Sequence, residues 1–159
     1  MFQFNSRALL IPEGIITTTI EEFEKEFVIK PGDEKRKQLF HQYQSYCDRL
    51  KAICGNVALT QWINGSYTTK NKKPADIDVI TFIHSEIVKQ NAVALKSLVY
   101  PQSMAAYQVD AYIIAVYPEN SKLHFASDAD RLYWLDHFSK TKPNRHRKRV
   151  EKGFLEIII

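Results

Sequence analysis

Trp62-Ile63-Asn64-Gly65-Ser66-Tyr67-Thr68-Thr69-Lys70-Asn71-Lys72-Lys73-Pro74-Ala75-Asp76-Ile77-Asp78-Val79-Ile80 is the stretch whose reading decides the fold. It opens on the end of an apolar run, 57–63, that predicts a strand, and Asn64-Gly65-Ser66 follows as a tight turn. A Gly-Ser turn leaving a strand lets backbone N–H groups approach a phosphate closely, because glycine has no Cβ. The serine hydroxyl adds a donor, and Lys70, Lys72 or Lys73 in the polar loop 67–75 can add positive charge. The next run, 77–83, is continuous and β-branched enough to be an interior strand. Asp76 and Asp78 stand at i and i+2, which at the start of a strand puts both carboxylates on one face and turns Ile77 to the other.

Two carboxylates on one face repel each other unless something cationic lies between them. Mg²⁺ (or Mn²⁺) suits that position, because it favours one or two carboxylates plus substrate phosphates over an all-protein cage. A third acid, Asp110, interrupts the apolar run 107–117 (YQVDAYIIAVY), where packing gives no reason for it. On a neighbouring strand it would complete a two-metal site that activates a hydroxyl and neutralises charge on a phosphate. A structural carboxylate bonded to a loop amide is the alternative for Asp110.

Outward from this centre the chain alternates helices and strands. Residues 1–18 read as an extended lead-in with Pro12 and Gly14 as breakers. Thr19 and Glu22 resemble a capping box opening a helix over 20–27, and Pro31-Gly32-Asp33 breaks and caps. Leu39, Phe40, Tyr43, Tyr46, Cys47, Leu50 and Ile53 recur at three-four spacing, predicting an amphipathic helix over 34–54 that Gly55-Asn56 ends. A helix over 85–98, a strand over 107–117, a helix capped by Ser127 and running to 138, and a strand over 154–159 complete the order. The last is apolar enough to be an added sheet strand or a dimer edge. This order predicts one α+β domain over 1–159: a mixed β-sheet flanked by helices.

Bulk properties agree. Of 159 residues, 45% are hydrophobic and 25% charged, the composition of a folded domain rather than a disordered chain. No apolar run approaches the roughly 20 residues of a membrane helix, and no cleavable signal pattern opens the chain, so a cytoplasmic protein is expected. Cys47 and Cys54 lie about 10 Å apart along one helix. A disulfide needs about 7 Å, so two reduced, buried thiols are expected. Five histidines without metal-ligand spacing argue against zinc. Seven Lys or Arg and one acid fall within 140–152, a local +6, so the rest of the chain, with 15 basic and 17 acidic residues, carries −2. Within that basic segment, the run 140–149 either contacts phosphates of a triphosphate or nucleic acid, or is a solvated linker. Without aromatic residues interleaved in it, nothing there points to base stacking. Trp62, Trp134 and the periodic tyrosines read as core, and His84 as surface.

Gly-Ser, a loop of about ten residues, Asp-x-Asp and a later strand-borne Asp together resemble the signature of the polymerase-β-type nucleotidyltransferase superfamily, most closely its minimal members. The wider stretch from IPEGI through TIEEF to NGSYTTKNKKPADIDV, with the WLDHF and KGFLEI segments, looks like an uncharacterised bacterial nucleotidyltransferase-like family. The resemblance implies that Gly65 and Ser66 hold a nucleoside triphosphate. It further implies that Asp76 and Asp78 bind both metals and that Asp110 binds the catalytic metal and acts on the acceptor hydroxyl. The implied reaction moves AMP from ATP to a protein or RNA acceptor, such as a cognate toxin or antitoxin, in a toxin–antitoxin or phage-defence (antiviral defence) setting. A catalytically silent module that binds a nucleotide, RNA or partner on the same fold is the alternative. Two positions depart from the pattern: Lys70 and Ala75 stand where many relatives have Gly and Ser, which leaves donor nucleotide and loop geometry open.

Overall fold

Three-four spacing of apolar side chains builds the longest helix, α2 (Glu34–Cys54), of the computed structural model, which describes residues 2–70 and 73–159. Asp33 caps its start by accepting from the Arg36 N–H at 2.9 Å. Gly55 ends it in the left-handed conformation that glycine adopts without steric cost (φ 79°). Its apolar face (Leu39, Phe40, Tyr43, Tyr46, Leu50) is buried against one side of a five-stranded sheet.

The sheet strands are β3 (Gly14–Thr17), β4 (Thr60–Asn64), β5 (Ile77–His84), β6 (Val109–Val116) and β7 (Gly153–Ile158), in the order β3-β7-β4-β5-β6. β3/β7 and β5/β6 are parallel, while β7/β4 and β4/β5 are antiparallel. The chain is therefore α+β with a mixed sheet, as its pattern predicts. Period-two alternation divides each strand between the two faces. Ile63, Ile77, Val79 and Leu155 meet α2. Trp62, Ile80, Phe82, Ile114 and Phe154 form a second cluster with Phe138 of α6 (His124–Phe138). That second face is only partly covered, because α6 ends before the edge of the sheet where β4 stops and β5 starts.

Several local expectations change. The lead-in is not merely extended: β1 (Gln3–Phe4) and β2 (Leu10–Ile11) form a small antiparallel pair, and β3 joins the main sheet beside β7. Thr19 does cap α1 (Ile20–Glu24), but a π-helical turn, Lys25–Ile29, extends it toward Pro31. The helix expected over 85–98 is split into α3 (Ser85–Gln90), α4 (Ala92–Leu95) and a 3₁₀ turn, Lys96–Leu98, since Asn91 is non-helical (φ −113°, ψ 19°). A further helix, α5 (Gln102–Tyr107), occupies the start of the run read as strand. Ser127 does not cap α6; it lies inside, bonded to Tyr117 N and Ala115 O and tying the helix to β6. The last strand is not an edge: β7 is interior, between β3 and β4. Cys47 and Cys54 are free and buried. Trp62 is core, Trp134 only partly buried, and exposed His84 caps α3 by accepting from Glu86 N. Among the described residues no helix is long and apolar enough to cross a membrane.

Candidate active site

Register brings the three acids together. Asp78 stands opposite Asp110 on the neighbouring parallel strand and opposite Asn64 on the antiparallel one. Asn64, Asp78 and Asp110 thus form one row across three strands, on the face that α6 leaves open. Asp76, two residues before Asp78, precedes β5 on the same side.

The electrostatics are those of carboxylates forced together. Asp78 titrates at about 6 instead of 3.8, first because it is buried, then because Asp76 and Asp110 repel its charge. Asp110 is also raised, by burial and by Asp76, although the Tyr112 hydroxyl pulls the other way. Asp110 Oδ1 is buried and meets no hydrogen-bond donor among the described residues. A structural carboxylate is expected to have donors on both oxygens; this one keeps the Tyr112 hydroxyl and leaves Oδ1 open.

Gly65 is fixed by two constraints. Its φ of 84° lies in the region L side chains avoid, and a Cβ there would stand 1.7 Å from Asp78 Oδ2. The glycine therefore makes room for the catalytic candidate as well as exposing backbone. Ser66 opens a 3₁₀ turn, Ser66–Thr68, whose Ser66 carbonyl accepts from the Thr69 hydroxyl (2.7 Å). Arg36, reaching over from α2, holds the far side of that turn: its guanidinium donates to Tyr67 O (2.8 Å), Thr69 O (2.9 Å) and Phe27 O (3.2 Å). Tyr67 returns a bond to Arg36 O at 2.8 Å.

A cleft of about 540 Å³ is lined by Asn64, Gly65, Ser66, Asp76 and Asp78 together with the basic side chains Lys140, Lys142, Arg149 and Lys152, and by His137 and Phe138; Asp110, next to Asp78 on β6, is not among its lining residues. Lys152 is the unexpected member. It is 5% exposed, its ammonium hydrogen-bonds Asn64 Oδ1, and burial lowers its pKa to about 8 against the attraction of Asp78. Lys142 also draws the pKa values of Asp78 and Asp110 down. The sequence offered the run 140–149 as a contact for triphosphate phosphates, with a solvated linker as the alternative, and Lys140, Lys142 and Arg149 do line the cleft; Lys152 lay beyond that run, and the pairing of β7 with β4 brings it there. Arg36 was missed altogether, its one signal being a charged residue on the apolar stripe of an amphipathic helix.

Lys70 lies elsewhere. Its N–H bonds Ala8 O at 3.3 Å and its ammonium sits 4.8 Å over the Phe4 ring, so it lines a neighbouring cleft with Phe27 and Lys30. The hairpin of β1 and β2, unforeseen in the lead-in, is what draws it away. Lys73 is exposed, and Lys72 lies outside the described residues.

Carboxylate oxygens are the donors that a hard divalent cation takes. Asp76, Asp78 and Asp110 offer oxygen ligands, one of them without a donor, on one face. Among the described residues no three acids, histidines or cysteines close into a group that could hold a metal ion. Mg²⁺ asks less of the protein than that, since phosphate and water oxygens complete its shell.

The chain belongs to DUF6932, a family of unknown function whose model matches residues 2–158. Neither a curated protein nor a solved structure matches it.

Proposed function

We propose that this chain is a magnesium-dependent nucleotidyltransferase of the polymerase-β type. It would move a nucleotidyl group, AMP from ATP by the resemblance, to a hydroxyl of a protein or RNA acceptor. The observation that carries this reading is the row of Asp78 and Asp110 in register, with Asp76 beside it and Asp110 Oδ1 without a donor, directly against the Gly65-Ser66 turn.

Each part has a task its position fits. The backbone of Gly65 and Ser66 receives the triphosphate at a turn that Arg36 holds from behind. Lys152 and Lys142 face it with positive charge. Mg²⁺, held by Asp76, Asp78 and Asp110, would neutralise charge on the α-phosphate and on departing pyrophosphate. Asp110 Oδ1, whose carboxyl has a raised proton affinity, takes the proton of the acceptor hydroxyl. The acceptor oxygen bonds to the α-phosphorus, the α–β bridging bond breaks, and pyrophosphate leaves.

A second reading, a silent module on the same fold, draws on the absence, among the described residues, of a closed three-ligand group. It predicts nucleotide or partner binding without turnover. Incubating α-labelled ATP and Mg²⁺ with cell extract separates the two. The enzyme reading expects labelled product with wild type and none with Asp78→Ala; equal label in both, or none in either, rejects it.

A further inference from the structure

Beside the acids lies a row of rings of which the reaction above touches one, Tyr112, through its hydroxyl on Asp110. Tyr100, Tyr112, Trp134 and His137 form a continuous ladder of rings along the open edge strand β6 and helix α6. Tyr100 and Tyr112 stack at 6.3 Å and 20°, Tyr112 meets Trp134 at 4.9 Å, and Trp134 meets His137 at 5.5 Å. Tyr133 flanks the ladder, stacked on His137 at 6.0 Å and 9°. These rings are open to solvent: Tyr100 is 52%, Tyr112 36% and Tyr133 62% exposed. Exposed apolar side chains scattered singly need no explanation, but a contiguous run of them marks a binding surface.

Two placements say what binds. The ladder leads to the acids, for Tyr112 lies two residues along the same strand face from Asp110, and His137 lines the acidic cleft. The chain leaving α6 then carries the basic loop. Lys140 and Arg149 both pair with Asp136. Lys142, Arg145, Arg147 and Lys148 are exposed and make no ion pair among the described residues. Lys142 lines the cleft, whereas Arg145, Arg147 and Lys148 lie on a turn beyond it, held by Asn144 Oδ1 accepting from His146 N and Lys148 N. Positive charge that continues outward past the cleft fits a chain of phosphates better than a single triphosphate. Rings beside a cationic track are the means by which single strands are held without sequence preference: bases stack, phosphates pair.

We infer that the ladder and the basic loop bind a single-stranded RNA end and present its terminal hydroxyl to Asp110. The RNA is thereby the acceptor of the proposed transfer; the hydroxyl's fate rests on that reading, while the binding does not. The cations alone would also suit an acidic protein surface; the ring ladder beside them is what favours a strand whose bases can stack.

The test is fluorescence anisotropy of the full chain with a labelled, unstructured RNA dodecamer, without ATP or Mg²⁺. Wild type is expected to bind, with affinity falling steeply with salt. The Tyr100→Ala/Tyr112→Ala pair should weaken binding about tenfold or more, while Tyr→Phe at both positions retains it. Arg145→Ala/Arg147→Ala should reduce the slope of log affinity against log salt by roughly 1.4. Because Tyr112 packs on Trp134, Tyr100→Ala alone and quenching of Trp134 fluorescence by the RNA provide readouts that do not depend on the double variant folding. No binding at low salt, binding indifferent to the rings, or tighter binding of DNA of the same sequence overturns the inference. RNA binding by wild type and Asp78→Asn alike, with no transfer to any acceptor, would sink the enzymatic reading and leave this one standing. Transfer to a protein by a chain that binds no RNA would do the reverse.

Discussion

Asp78→Asn should make the protein more stable at neutral pH, and the size of the gain follows from the site. In the folded chain Asp78 titrates at about 6 against an ordinary 3.8, so ionising it costs more there than in the unfolded chain. At about 1.36 kcal/mol per unit, the difference is about 3 kcal/mol at pH 7. The sign is that of a raised carboxyl: its contribution is most favourable at low pH and is lost as pH rises through 6. Asparagine removes the charge while fitting the same space against Gly65. It also removes the attraction that helps Lys152 stay charged, which takes back part of the gain. A net of about 2 kcal/mol in a domain this size raises Tm by about 4–8 °C. Thermal unfolding followed by circular dichroism at pH 7 and pH 4 checks it: the gap should be open at pH 7 and nearly closed at pH 4. Mg²⁺ in the millimolar range should raise the wild-type Tm and leave the variant unmoved, since only a state that binds the ion gains from it. A variant that melts below wild type at pH 7, or a gap that persists unchanged to pH 4, would refute the claim that these acids are held together against their own repulsion.

Three further substitutions probe the supports of the site. Gly65→Ala brings a Cβ to within 1.7 Å of Asp78 Oδ2 at a φ of 84°, so it should displace the carboxylate, abolish the Mg²⁺-dependent rise in Tm and cost about 1–3 kcal/mol by urea unfolding. Arg36→Ala strips three backbone carbonyls of a buried guanidinium and should destabilise by about 3–5 kcal/mol, read in the same urea titrations, with Arg36→Lys recovering only part. Lys152→Met removes one of the two cations, with Lys142, that lower the pKa of Asp78, so the acid limb of Mg²⁺ binding, followed by calorimetry, should move to higher pH. Its effect on stability should be small, because the burial cost of the ammonium disappears with it.

What the sequence made legible is local. Helix α2 could be bounded to the residue because its stripe, its Asp33 cap and its Gly55 stop all agree. The Gly65-Ser66 turn and the pair Asp76 and Asp78 were visible because turn chemistry and period-two spacing need only a few neighbouring residues. The β1–β2 hairpin was hidden, since two-residue strands carry no periodicity, and with it went the reason Lys70 points away from the cleft. Helix α5 merged with a strand-like run because Tyr107 suits either state. Lys152 lies 88 positions from Asn64, and only the pairing of β7 with β4 shows that the two touch. The ring ladder draws on β6, α6 and the segment between α4 and α5, which no single window of sequence contains.

A comparison within the chain argues for what the acids are for. Asp33 caps α2 and accepts from Arg36 N, and Asp136 is held by Lys140 and Arg149, so that its pKa is lowered, first by the hydrogen bond from Lys140. Glu156 accepts from the Trp62 indole at 2.9 Å. Those carboxylates stabilise the fold because each has a donor. Asp78 and Asp110 stand the other way: both are raised, each is half-buried, and Asp110 Oδ1 has nothing to accept from. Acids with a structural task would follow the first pattern, since burial without donors only costs stability. On the proposed reading the second pattern is that of a binding centre, where the charge of a cation and phosphates would offset a repulsion that the protein alone leaves unrelieved.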